Sequence, residues 1–231
     1  MTTATFYLYE PIVEDTYSGG ISPAMFVEFL NGLDNSVDSI NIRLNSPGGS
    51  VFAARAIEQL IKESKIPVNT YIDGLCASAA SYIGLAGKTV NIGKGAFLMM
   101  HLAQSVARGN THDLIKNAEL LAKIDAAIVD TYHAKTGIDK AELLKILEAE
   151  TWLNAEEAVA MGFADIINEN ELENKPVSNW KNSAINFDKA PEAFKNLMKN
   201  VIKETPPVKP EMRAVDVAAL LRRIELAEHT F

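Results

Sequence analysis

Short β-rich runs alternate with helical patterns over the first two-thirds of this 231-residue chain, and this alternation constrains the fold more than any other feature. In one helical segment the apolar residues Ala53, Ile57 and Ile61 return at the spacing of a single helix face. Strands that alternate with such helices build a largely parallel sheet. The pattern predicts an α/β fold, with strands at residues 5–9, 39–44, 68–72, 89–92 and 97–101 and helices at 23–33, 51–64 and 77–86.

A much longer helix follows these units. Apolar residues recur at helical spacing from Leu114 to Tyr132, and Gly137 is a typical helix stop signal. The pattern predicts one helix over residues 110–135, which is expected to project from the core.

The compact domain is predicted to cover residues 1–167. Residues 168–231 are predicted to form a C-terminal extension, because stretches that are polar or rich in proline interrupt it and read as linkers. Two short amphipathic helices are predicted within it, at residues 191–203 and 215–228. Neither has enough apolar residues to form a core alone.

The charge balance excludes several classes of function. The formal net charge is −8 and the pI is near 5.1, so no nucleic-acid partner and no anionic membrane partner is expected. We find neither a signal-peptide pattern at the start nor an apolar stretch long enough to span a membrane. The single cysteine, Cys76, cannot form an intramolecular disulfide. These features predict a cytoplasmic protein.

The segment Asn45-Ser-Pro-Gly-Gly-Ser50 follows a predicted strand and opens a predicted helix. Its glycines allow the backbone to approach a ligand closely, while N–H groups at the helix start point outward. The segment is therefore a candidate oxyanion or anion site. A plain tight turn is the alternative, since Pro-Gly and Gly-Gly are common turn signals.

A second strand-to-helix junction places Ser78 at a turn among small residues. This position suits a nucleophile, because the next N–H group can stabilise the oxyanion that attack creates. A small-residue helix packed in the core is the alternative. Ser81 and Cys76 compete for the same role, and Cys76 is expected to lie buried in the turn.

A serine nucleophile needs a base, and one of the four histidines is well placed. His101 ends an apolar strand, at a sheet edge where parallel-sheet proteins gather their active groups. His112, His133 and His229 are expected to face solvent. A structural role for a lone histidine at a strand end is the alternative.

Four motifs occur in a fixed order over residues 6–167, with the long helix between the third and the fourth: Asn45-Ser-Pro-Gly-Gly49, Gly74-Leu-Cys-Ala-Ser78, Met100-His101 and the segment from Thr151 to Asp165. This series resembles the proteolytic subunit of the Clp protease, a ClpP-like serine peptidase. The resemblance implies an α/β fold of the ClpP and crotonase-like kind, a spiral of βαβ units with a protruding handle helix at residues 110–135.

The resemblance also implies the roles of the site residues. Ser78 is expected to be the nucleophile and His101 its base, while the N–H groups of Gly49 and Ala79 form the oxyanion hole. The family usually has methionine where this chain has Ala79, which leaves the N–H group in place. The family's third triad member is an aspartate, and Glu150 stands at that position.

Other acids compete with Glu150. Glu148, Asp165 or no acid at all are the alternatives, the last leaving a Ser78 and His101 dyad. No metal and no cofactor is implied, because the sequence has no metal cluster, phosphate loop or dinucleotide fingerprint.

The expected partners follow from the same resemblance. They are a polypeptide substrate and further copies of the chain, which assemble into rings that pair through the handle helix. The chain begins almost at its first core strand, so an ATPase unfoldase partner is not expected and short peptides should be cleaved without ATP. The C-terminal extension and the residues around Glu150 resemble phage and prophage head maturation proteases, whose partners are capsid or scaffold proteins.

Two other functions remain open. A crotonase-fold acyl-CoA enzyme shares the spiral but gives no reason for a serine and a histidine at these two points. A ClpP-like scaffold protein without activity is the other. Labelling by a fluorophosphonate, which marks an activated serine, distinguishes the peptidase from both.

Overall fold

The structure is a computed structural model, and it describes residues 1–169, 187–192 and 194–196. Contacts between Cα atoms divide the chain into two compact units, Met1–Pro191 and Glu192–Phe231. The helix predicted at residues 215–228 lies outside the described residues, and so does most of the helix predicted at 191–203.

The first unit is built on a seven-stranded sheet. The strands follow the order β1-β2-β3-β4-β7, and β5 pairs with both β3 and β6. All pairs are parallel except β5 with β6. The predicted α/β fold with a largely parallel sheet is confirmed. The strands are β1 (Thr2–Leu8), β2 (Val37–Ser46), β3 (Val68–Ala77), β4 (Val90–Gly93), β5 (Phe97–Met100), β6 (Thr151–Leu153) and β7 (Ile166–Asn168).

Six helices in the described part of the first unit connect these strands. Several begin at caps that the sequence signals: Asn110 and Asn154 each form a capping box with an acidic residue three positions later. Gly137 ends the longest helix in the left-handed conformation, as predicted. The helices are α1 (Pro23–Asn31), α2 (Val51–Glu63), α3 (Ala80–Leu85), α4 (Thr111–Thr136), α5 (Lys140–Glu148) and α6 (Ala155–Ala160).

Strand β3 is longer than predicted. The sheet branches along it, because two different strands pair with its two halves. Its first half pairs with β4 and its second half, from Leu75 to Ala77, pairs with β5. Cys76 was expected in a turn but lies inside this strand, fully buried. The turn prediction was wrong because Leu75, Cys76 and Ala77 continue β3 by pairing with β5.

The charged pair Arg43 and Asp73 joins the carboxyl-terminal halves of β2 and β3. The two side chains are nearly buried and form a salt bridge, and the hydroxyl of Tyr9 donates to the same carboxylate at 2.7 Å. A buried ion pair is costly to break, because one uncompensated charge then remains in the interior. The cluster therefore holds together β2 and β3, the two strands that lead to the glycine motif and to Ser78.

Helix α4 behaves as two halves. Ile128, Val129 and Tyr132 in the second half are buried in the core. In the first half the side chains of Leu114, Ile115 and Leu120 are about half exposed, at 47, 52 and 49%.

Among the described residues, no helix is both long and apolar enough to cross a bilayer.

Candidate active site

Ser78 occupies the single turn between the end of β3 and the start of α3. Its φ of 53° lies in the left-handed region, which a non-glycine residue adopts at a cost of about 1–3 kcal/mol. The Ser78 N–H donates to the carbonyl of Met99 at 2.9 Å, and its own carbonyl accepts from the N–H of Ser81 at 3.0 Å. The turn is thus held from both sides while the Ser78 hydroxyl faces the site.

The glycine motif packs directly against this turn. Gly48 has a φ of 89°, and a Cβ there would lie 2.5 Å from the carbonyl oxygen of Ala77 and 2.9 Å from the nitrogen of Ala79. Gly49 has a φ of 144°, and a Cβ there would lie 2.1 Å from the carbonyl oxygen of Ile12. No other residue type fits either position without a backbone shift.

Two backbone N–H groups beside Ser78 have no hydrogen-bond partner in the described part of the chain. They belong to Gly49 and Ala79, the residues predicted to form the oxyanion hole. A nearby cavity of about 180 Å³ is lined by Gly49, Ser78, His101 and apolar side chains, including Val51 and Leu102. A larger cavity of about 380 Å³ lies at the other end of β3, beside Lys65 and Lys88, and includes none of the candidate residues.

His101 follows β5 directly and reaches the serine. Its Nε2 lies 2.7 Å from the Ser78 hydroxyl oxygen, while Nδ1 lies 3.3 Å from the side-chain nitrogen of Gln104. Burial lowers the pKa of His101, because a charged ring loses hydration there; the charges of Glu150 and Asp125 act in the opposite direction, and Lys189 lowers it further. The ring is therefore neutral near pH 7, as a base requires.

The strand register brings Glu150 near His101. Strands β5 and β6 are antiparallel, with Met99 opposite Trp152 and Met100 opposite Thr151, and His101 and Glu150 are the residues that adjoin this last pair. Glu150 has a φ of 54°, again in the left-handed region. Its charge is the largest of those that act on the pKa of His101, but no hydrogen bond joins the two side chains in the described part of the structure.

The Glu150 carboxylate has other neighbours. One oxygen lies 3.5 Å from the indole nitrogen of Trp152, and the other lies 3.7 Å from the ammonium nitrogen of Lys189. The ring of Phe187 packs on that of Trp152, with 6.2 Å between centroids. Phe187 and Lys189 were not predicted, because a segment that follows the compact domain gives no sequence signal for packing beside β6.

The two competing acids lie elsewhere. Asp165 accepts from the N–H of Val90 at 2.7 Å and pairs with Lys135 at 2.8 Å, and Glu148 is exposed at the end of α5. Neither contributes to the pKa shift of His101. The structure brings Glu150 beside the histidine and leaves these two apart.

The competing nucleophiles are both buried. The Ser81 hydroxyl donates to the carbonyl of Ser78 at 2.5 Å and is bonded to the hydroxyl of Tyr132 at 2.6 Å. Burial raises the pKa of the Cys76 thiol far above its usual range, so the reactive thiolate does not form there. His112 and His133 are exposed on α4, as predicted. His229 lies outside the described residues.

Asp125 is a neighbour of the site that the sequence analysis missed. It lies on α4, and its carboxylate accepts from the N–H of Ala103 at 2.7 Å, two residues after His101. A signal was available: Asp125 stands three, four and seven residues before the buried Ile128, Val129 and Tyr132 and so shares their face. A charged residue on a buried helix face points to a specific polar partner.

Comparisons with known proteins agree with one another. A profile of the Clp protease family matches residues 4–171. The ATP-dependent Clp protease proteolytic subunit of Deinococcus radiodurans is 32% identical over 146 residues, which cover 61% of this chain and 70% of that protein. Subunit 1 of the same protease from Chlamydia trachomatis is 30% identical over 164 residues, covering 69% of this chain and 83% of that protein.

A solved structure gives the same result for the fold. A variant of ClpP1 from Listeria monocytogenes superimposes with a TM-score of 0.63 at 24% identity, covering 72% of this chain and 91% of that one. At this identity the likeness is one of fold. It confirms the predicted ClpP-like arrangement.

Proposed function

Since this chain belongs to the Clp protease family, we propose that it is a serine endopeptidase that hydrolyses peptide bonds through Ser78 and His101. The observation that carries the proposal is the distance of 2.7 Å between the Ser78 hydroxyl oxygen and His101 Nε2, at a turn with a left-handed φ. A strained residue paired with a neutral histidine in a cleft is the arrangement of an activated nucleophile.

The first half of the reaction forms an acyl-enzyme. The Ser78 oxygen attacks the carbonyl carbon of the scissile bond, and His101 Nε2 takes the hydroxyl proton. The carbonyl oxygen becomes an oxyanion, which accepts hydrogen bonds from the N–H groups of Gly49 and Ala79. His101 then gives its proton to the departing amine, and the C–N bond breaks. In the second half, His101 takes a proton from a water molecule whose oxygen attacks the ester carbonyl; the C–O bond to Ser78 then breaks, the Ser78 oxygen regains a proton from His101, and the new carboxyl end of the peptide is released.

His101 needs its ring proton on Nδ1 so that Nε2 carries a free lone pair. A neighbouring acceptor must hold that proton, and the register makes Glu150 the candidate. A carboxylate at this position fixes the tautomer and stabilises the imidazolium, which contributes a factor of up to about 10⁴ to turnover. Gln104 can also accept through its side-chain oxygen after a half-turn of its amide.

A polypeptide is the proposed substrate and a ring of identical subunits the proposed assembly. The half-exposed Leu114, Ile115 and Leu120 on α4 support the assembly, because they leave one side of a long helix without a core to pack against. The relatives are named ATP-dependent, whereas the proposed chemistry uses no nucleotide, so short peptides should be cleaved without ATP. A role in capsid maturation and a cytoplasmic location remain predictions.

Labelling of the purified full chain with a fluorophosphonate tests the proposed function. We expect one adduct, located at Ser78 by mass spectrometry, together with hydrolysis of a short fluorogenic peptide. Ser78→Ala and His101→Ala should abolish both signals, with losses of turnover on the order of a millionfold, since the two residues act as a unit. Ser105→Ala, an exposed serine outside the site, serves as the matched control and should behave like the native chain.

An adduct on Ser81 or Cys76 would contradict the assignment of the nucleophile. A folded chain that is not labelled and cleaves no peptide would contradict the peptidase proposal and favour an inactive scaffold. An acyl-CoA enzyme would also fail to be labelled but would bind the thioester.

A further inference from the structure

The segment from Phe187 to Ala190 lies in the first unit, beside the proposed triad acid. Ala190 is buried and Phe187 packs on Trp152, so the segment is attached to β6, the strand that directly follows Glu150. Lys189 lies between these two anchors, and its ammonium nitrogen is 3.7 Å from a Glu150 oxygen. The segment therefore places the Lys189 ammonium group beside the Glu150 carboxylate, which is the proposed acid of the triad.

Of the two hydrogen bonds expected in the candidate triad, the described part of the structure contains only the one between Ser78 and His101. This bond is formed at 2.7 Å, while Nδ1 of His101 contacts Gln104 instead of Glu150. The two Glu150 oxygens lie nearest to Trp152 and Lys189. Only 15% of the Glu150 side chain is exposed, against 64% for Lys189, so the pair is shielded on the carboxylate's side.

We propose that Lys189 is a positioning residue that holds the Glu150 carboxylate turned away from His101, so that the segment 187–190 sets the basicity of the catalytic histidine. The inference rests on the proposed function, because it concerns the acid of the same site. When Lys189 is paired with Glu150, the carboxylate acts on the His101 ring only by its charge and not by a hydrogen bond. When the segment moves away, the carboxylate is free to accept the Nδ1 proton and strengthens the base.

The sign of the effect follows from the charges. A free Glu150 carboxylate favours the protonated ring, so loss of Lys189 should raise the pKa of His101. More of the histidine is then protonated at acid pH, and the serine reacts more slowly there. The pH at which reactivity is half-maximal should move upward. Lys189→Arg keeps a cation and should keep the native profile.

The test is the pH dependence of fluorophosphonate labelling in the full chain, followed over about pH 5 to 9. For Lys189→Met we expect a midpoint at higher pH and labelling on the acid side slower by about two- to fivefold, the size of a partly screened ion pair. Lys94→Met is the matched control: Lys94 forms a similar pair, at 3.9 Å from Glu169 and with 70% of its side chain exposed, and its profile should not change.

A double-mutant cycle tests whether Lys189 acts on His101 by way of the Glu150 carboxylate. In a Glu150→Gln background, Lys189→Met should shift the midpoint much less than in the native background, because only the direct effect of the Lys189 charge on the pKa of His101 then remains. A shift of the same size in both backgrounds would overturn the positioning role. So would an unchanged midpoint for Lys189→Met alone, including the case in which only the melting temperature falls.

The failure of this inference is distinct from the failure of the proposed function. If the native chain is never labelled at Ser78, the peptidase proposal fails. The NMR titration of the His101 ring, one of four histidines in the chain, then still compares the native protein with Lys189→Met. An equal pKa in the two proteins would overturn the inference by itself.

Discussion

At the scale of single residues, the backbone conformation singles out two positions. Ser78 and Glu150 are the non-glycine residues with positive φ in the described part of the chain, at 53° and 54°. Each costs about 1–3 kcal/mol, and such residues cluster at active sites. Both are proposed members of one triad. The left-handed backbone at both positions supports Glu150 as the triad acid, which its residue type alone did not decide.

Glu150→Gly tests whether this strain is kept for function. Glycine adopts a positive φ freely, so we expect the melting temperature to stay equal or to rise, with a gain of up to about 1 kcal/mol in the free energy of unfolding. Peptide hydrolysis should fall by orders of magnitude. Thermal melts and turnover of the same preparation measure the two effects.

Glu148→Gly provides the matched control, since Glu148 is an exposed helical residue. There the substitution should cost about 0.5–1 kcal/mol and leave turnover intact. A Glu150→Gly protein that is clearly less stable and still active would contradict the functional interpretation of the strain.

The pH profile of peptide hydrolysis should report the burial of His101. Burial holds its pKa below the ordinary value of 6.5, and the neutral ring is the active form. Activity should therefore persist as the pH falls through 6.5 and be lost only at a lower pH. Glu150→Gln removes a charge that raises this pKa, so its midpoint should be lower still. A midpoint of kcat/KM at or above 6.5 in the native chain would be inconsistent with this account.

At the scale of elements, helix α4 contacts the segment that follows His101, the proposed catalytic base. Asp125 of α4 accepts a hydrogen bond from the N–H of Ala103 and thereby holds the segment that follows His101. The helix proposed to join subunits thus also contacts the site.

Two substitutions at Asp125 separate its charge from its hydrogen bond. Asp125→Asn keeps an acceptor for the Ala103 N–H but removes a charge that raises the pKa of His101, so we expect a slightly lower midpoint and little change in stability. Asp125→Ala also leaves a partly buried N–H without its acceptor. It should cost about 1–3 kcal/mol and reduce turnover more strongly. Identical kinetics for the two variants would show that only the charge matters.

Sequence patterns predicted most of the elements but fewer of the contacts around the histidine. The β-rich runs and cap residues such as Asn110 are local signals, so they located most elements to within a few residues. The branch of β3 was missed because it depends on pairing with β5. Lys189 was missed because it follows Glu150 by 39 positions, and only tertiary packing brings them together. The assigned roles of Ser78, His101 and Glu150 remain predictions.

At the scale of the whole molecule, the first half of α4 is the surface on which the proposed assembly depends. We expect Leu120→Lys and Leu114→Lys to lower the particle mass measured by light scattering at micromolar concentration, because each places a charge in an apolar contact. Tyr17→Lys is the control, since Tyr17 is 96% exposed and lies outside this helix. A native chain that is monomeric under these conditions would contradict the proposed ring.

The reactivity of Cys76 can be used to measure how often the sheet opens at the branch of β3. The thiol is fully buried in β3, two residues before Ser78, between strands β2 and β5. A thiol reagent can react only in the moments when these strands separate, so the rate of modification measures how rarely the nucleophile's support comes apart. Because the chain has one cysteine, a single reaction in the unaltered protein reports the opening free energy of this region.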